Sequence, residues 1–148
     1  MKLFDIYNWA IGSKASFLNS FQNEEELYAQ AQQFWNGLES NAFIFAGIFL
    51  VMGAVWAWTY YGPYNNKPGR HYHPKHWVLL LALCAVLTFC LTLGAAYLYE
   101  APKLNGAWPL EIKLSLANTL YALIIYILGS VIYCNYLPTN AYRVTIQQ

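Results

Sequence analysis

The chain predicts an all-α integral membrane protein with three transmembrane helices, an N-terminal amphipathic helix and a stalk-like extension of the first transmembrane helix. Three observations carry this. First, Asn41 to Asn66, Trp77 to Tyr99 and Leu114 to Tyr142 contain no charged residue, and about twenty apolar helical residues cross a hydrocarbon core about 30 Å thick. Second, only 10% of residues are charged and 58% are hydrophobic, where a soluble domain carries about 25% charge. Third, Trp56, Trp58, Tyr60, Tyr61, Tyr64, Tyr72 and Trp77 flank the connection between the first two spans, as aromatic residues do at a membrane–water interface.

The same composition narrows the function. Three spans and their connections leave too little of the 148 residues for a separate soluble catalytic domain. The expected organisation is amphipathic helices over 1–40, a transmembrane domain over 41–137 and a tail over 138–148. A net charge of +1 gives no basic face for a nucleic-acid partner. Cys84, Cys90 and Cys134 fall in or near the spans and read as small apolar residues rather than a disulfide or metal framework. Met1 to Gly12 includes Asp5 and Asn8 and lacks a continuous apolar run, so it is not expected to be a cleaved signal.

Near the N-terminus, Leu3, Ile6, Tyr7, Ala10 and Ile11 recur at helical spacing before a stop at Gly12. This short helix is expected either in the headgroup region, with Phe4 and Trp9 as anchors, or against a neighbouring helix. Asn23 followed by Glu24, Glu25 and Glu26 reads as a capped helix start with carboxylates opposing the macrodipole. Leu27, Ala31, Phe34, Trp35 and Leu38 then form an apolar stripe that needs a cover. With no proline before the first span, one helix from about Glu24 to Tyr60 is favoured, although Gly37, Ser40 and Asn41 offer a place to bend or break it. Unbroken, it would reach about 55 Å. Its outer half would then be a stalk packed on the first helix or on other copies of the chain.

Each span carries one small or weakly polar seam. Ala42, Ala46, Gly53 and Ala57 share a face of the first; Ala85, Thr88, Thr92 and Ala96 mark the second; Thr119, Ala122, Tyr126, Ser130 and Tyr133 mark the third. Such seams allow close helix packing, or line a water-filled path in an oligomer. Asn118 is the strongest interior polar residue, suited to bonding across helices or to ringing a pore entrance. The spans hold none of the acids, bases or histidines that usually handle protons and ions at membrane depth.

The connection between the first two spans is basic. Lys67, Arg70 and Lys75 stand with His71, His73 and His76 and no acid, shaped by Pro63, Pro68, Gly69 and Pro74. The positive-inside rule assigns loop 62–76 to the cytoplasm and the N-terminus to the outside, in a membrane read as a bacterial inner membrane. Attraction to anionic lipid is the expected role of these six residues. The His-x-His-x-x-His spacing has no supporting carboxylate or cysteine, so no metal is assigned.

No phosphate-binding Gly loop, nucleophile elbow or His-Glu-x-x-His occurs, and no cofactor is expected. The chain therefore reads as a non-enzymatic membrane subunit that oligomerises or joins a larger membrane complex, with membrane lipid and other subunits or copies as partners. The alternative is a homo-oligomeric ion channel or membrane-disrupting pore.

Overall fold

The computed structural model describes residues 2–65, 74–99, 104, 106–137 and 141. Among them every regular element is helical: a 3₁₀ turn at Leu3–Tyr7, α1 (Asn8–Ile11), α2 (Lys14–Asn19), α3 (Glu25–Ser40), α4 (Ala42–Thr59), a π-helical turn at Tyr60–Tyr64, α5 (Pro74–Tyr99) and α6 (Trp108–Tyr136). Three segments are long and apolar enough to cross a membrane: Ala42–Tyr64, Pro74–Tyr99 and Trp108–Tyr136. They agree with the three expected spans, except that α5 and α6 begin earlier, placing Lys75 and His76 on the one helix and Glu111 and Lys113 on the other rather than in connections. Prolines open two of these helices, Pro74 at the first position of α5 and Pro109 in the first turn of α6, where their missing N–H has no intrahelical role.

The single long helix from Glu24 to Tyr60 does not form. Asn41 interrupts it by local chemistry: its side-chain Nδ2 donates to the Gly37 carbonyl at 2.8 Å, while its backbone N–H donates to Leu38 at 3.2 Å. The amide side chain thus occupies the acceptor that the helical ladder would have used. Ser40 Oγ also donates to the Gly37 carbonyl, at 3.0 Å. Nor does Asn23 cap α3, since Glu24 occupies the cap position without a side-chain bond.

The apolar stripe of α3 is covered by the chain itself. Ala31, Phe34, Trp35 and Leu38 are buried and Leu27 packs at the edge, in one core with Phe4, Tyr7, Leu18, Ala96 and Leu114. Phe4 meets Trp35 edge-on with centroids 5.6 Å apart. Phe17 lies 5.4 Å from Trp35 and 6.0 Å from Phe34. The segment before α3 therefore folds back over it, as the intrachain alternative to a free stalk requires. At the N-terminus itself Phe4 and Tyr7 are buried while Leu3 stays exposed, so Phe4 is a core residue and not a headgroup anchor. Gly12 ends α1 with φ +81°, a conformation that costs glycine little.

Within the spans, α6 packs against both α4 and α5. The buried row of α5 is Leu80, Cys84, Thr88, Thr92 and Ala96; that of α6 includes Leu114, Asn118, Ala122, Tyr126, Ser130 and Cys134. Both recur every fourth residue, the inclined ridge that fits a neighbour's groove. Ala85, expected on the α5 seam, is only half-buried. The approach of α4 to α6 is close. A Cβ at Gly53 would come within 2.6 Å of the Ala122 carbonyl oxygen, and one at Gly129 within 2.8 Å of Ala57 Cβ. Ala42, Ala46, Gly53 and Ala57 are all buried, as expected for a small-residue packing face. The outward faces carry Leu50, Val51, Val55, Leu79, Leu83, Val86 and Ile132 in exposed positions, an apolar exterior suited to lipid.

Candidate functional site

Two buried polar clusters lie among the spans, and they hold most of the seam residues. Toward the N-terminal end of α6, Tyr7 Oη donates to Asn118 Oδ1 at 2.6 Å, and Asn118 Nδ2 donates to Thr92 Oγ1 at 2.7 Å. All three side chains are fully buried. Three separate parts of the chain, the first turn, α5 and α6, thus meet on one amide, whose carbonyl and amino group are both used. Burial pushes the Tyr7 phenol well above its ordinary pKa, with the neighbouring Tyr121 adding to the effect, so the hydroxyl remains the donor.

A second strand of bonds stitches the same segment to α6. Tyr121 Oη donates to the Ile6 carbonyl at 2.5 Å and accepts from Trp9 Nε1 at 2.6 Å. Its ring contacts Tyr7 and Phe49, with centroids 5.7 and 5.3 Å away. At the rim, Lys2 Nζ pairs with Glu39 Oε1 at 2.5 Å, and Lys14 Nζ donates to Asn36 Oδ1 at 2.6 Å. The bond to Glu39 holds the Lys2 ammonium above the usual lysine value.

At the other end, Trp77 Nε1 donates to Ser130 Oγ at 2.9 Å, and Ser130 Oγ donates to the Tyr126 carbonyl at 2.9 Å. Tyr126 Oη returns to the Trp77 carbonyl at 3.2 Å. Tyr61 Oη lies 3.3 Å from Cys134 Sγ, and its ring stacks on Tyr133 with centroids 5.1 Å apart. Asn65 Nδ2 donates to the Tyr60 carbonyl. Ala141 is buried in this end with Tyr60, Tyr61 and Leu80; the rest of the tail lies outside the described residues.

Of the candidate seam residues, Thr88, Thr92, Asn118, Tyr126 and Ser130 are fully buried between the chain's own helices. Thr119 is half-buried and donates to the Ser115 carbonyl one turn back, at 2.8 Å, a bond within its own helix. In the basic loop, Lys67, Arg70, His71 and His73 lie outside the described residues. Lys75 and His76 begin α5, with Lys75 exposed and the His76 ring edge-on to Tyr64 at 5.7 Å.

Sequence reasoning did not single out Tyr7, Trp77 or Tyr121 as polar partners. A donor on a large aromatic ring at the end of an apolar run is a signal of a buried bond, but it names no acceptor. Glu111, read as part of a connection, is buried in the first turn of α6, where the helix N-terminus favours a carboxylate. The chemistry assembled in the two clusters is that of hydroxyl, amide, indole and thiol groups bonded to one another, which holds segments together. Among the described residues no three His, Cys, Asp or Glu side chains are grouped so as to hold a metal ion.

Fold and clusters together define a small helical protein with three helices long and apolar enough to cross a membrane. Comparison with protein families, with curated proteins and with solved structures finds no match to this chain.

Proposed function

We propose that this protein is a non-enzymatic integral membrane subunit that works by assembling, with other subunits or with copies of itself, into a membrane complex. The observation that carries the reading is the burial of Thr88, Thr92, Asn118, Tyr126 and Ser130 inside the single chain. Polar residues consumed in packing three helices are not offered to a water-filled path, whereas the apolar exterior is offered to lipid or to neighbouring helices. The competing channel reading requires at least part of that seam to face an aqueous axis between copies. In the assembly reading, the basic loop is cytoplasmic and the N-terminal segment lies on the opposite side of a bacterial inner membrane.

The mass and subunit composition of the complex, released from native nanodiscs, is the test. Larger, different subunits or a closed homo-oligomer without conductance in planar bilayers is the expected result. A homo-oligomer with steady conductance that changes in Asn118→Leu would overturn the reading in favour of a channel.

A further inference from the structure

A groove of about 440 Å³ runs between the N-terminal segment and the outer face of α6, lined by Trp9, Ala10, Lys113, Leu116, Ala117 and Leu120. The Trp9 wall is fixed, because its indole donates to Tyr121 Oη at 2.6 Å and that hydroxyl donates to the Ile6 carbonyl at 2.5 Å. Two alanines and two leucines make the rest apolar. Lys113 is the charged residue of the lining and stands immediately before the uncharged run that starts at Leu114. Its ammonium is therefore at the boundary between hydrocarbon and headgroups.

We propose that this groove binds one anionic phospholipid, with an acyl chain along Ala10, Ala117 and Leu120 and the phosphate at the Lys113 ammonium. Charge selects the occupant. Among the described residues Lys113 makes no ion pair, and the lining contains no carboxylate to receive the ammonium of a zwitterionic headgroup. A covering protein helix would take that exposed ammonium out of contact with water and headgroups, which is costly without an acid in the partner. A free phosphate would leave the apolar length of the groove unfilled.

The test is native mass spectrometry of the protein released from nanodiscs that contain equal phosphatidylglycerol and phosphatidylcholine. Retained phosphatidylglycerol should exceed phosphatidylcholine about fivefold, the preference expected of one lysine near an anionic surface. Lys113→Gln should bring the ratio near one, and Lys113→Arg should keep it. Ala10→Leu, which fills the groove, should lower retention of both lipids. Lys75→Gln, an exposed lysine on the first turn of α5 and outside the groove, should leave the ratio unchanged. A wild-type ratio near one, or an equal loss in Lys75→Gln and Lys113→Gln, would overturn the proposal.

Discussion

The two ends of the helix bundle solve the same problem differently. Around Asn118, bonds run between side chains far apart in sequence: Tyr7 to Asn118 spans 111 residues and Asn118 to Thr92 spans 26. Around Ser130 long-range bonds also meet, Trp77 to Ser130 across 53 residues and Tyr126 to Trp77 across 49, but there the serine hydroxyl in addition donates to the carbonyl four residues back in its own helix. Hydroxyls of the second kind keep a partner whatever the neighbouring helices do. The amide of the first kind depends on all three segments being in place. The contrast implies that the Asn118 end ties the N-terminal segment to the spans, while the Ser130 end adds modestly to a contact that aromatic stacking already makes.

A change that separates α4 from α6 should loosen both ends at once. Gly53→Ala places a Cβ 2.6 Å from the Ala122 carbonyl oxygen, so backbone must move, and destabilisation of about 3 kcal/mol is expected. Gly47→Ala is the control, since its Cβ would meet nothing within 4 Å. Reversible unfolding in mixed micelles measures both; an equal response would remove the close crossing from the account.

Next in size, Asn118→Leu should cost about 2 kcal/mol, because the Tyr7 hydroxyl loses its acceptor in a buried place. It should also raise proteolytic access to the N-terminal segment while leaving the Ser130 end unchanged. If access at residues 3–11 does not rise, the tie between that segment and the spans is not made by this amide.

Tyr7→Phe should cost about 1 kcal/mol and sharpen the contrast through pH. The folded chain holds the Tyr7 proton above the ordinary value of 10.0. At higher pH the unfolded chain therefore binds fewer protons than the folded one, and stability falls as pH rises from there through the folded pKa. The stability difference between wild type and Tyr7→Phe should shrink over that alkaline window and be constant below it. A difference that does not vary with pH would show the phenol to be reachable by solvent.

The smallest effect is expected from Ser130→Ala, about 0.6 kcal/mol, because the Trp77 indole loses its acceptor while the Tyr61 and Tyr126 hydroxyls keep Cys134 and the Trp77 carbonyl as partners. A cost matching that of Asn118→Leu would erase the distinction between the ends.

The structure bears out the three spans because their signal is local: a run of uncharged apolar residues needs no knowledge of its neighbours to read as a membrane-crossing helix. The small-residue face of Ala42, Ala46, Gly53 and Ala57 was legible for the same reason, since helical spacing alone brings those positions to one side. The break at Asn41 was half-legible. Its residue types marked a place to bend, but the choice turned on whether the Asn41 amide or its backbone N–H took the Gly37 carbonyl, a difference of a single hydrogen bond.

The helical class, the number of apolar helices and the positions able to pack closely all follow from periodicity and the absence of charge, which are properties of the amino-acid order alone. That the α3 stripe is covered by the chain's own N-terminal segment, that Tyr7 reaches Asn118, and that the polar seams are buried between the helices emerges from the folded arrangement. Each of these depends on contacts between segments distant in sequence. Periodicity identifies the face that must be covered, and it carries no record of which segment covers it.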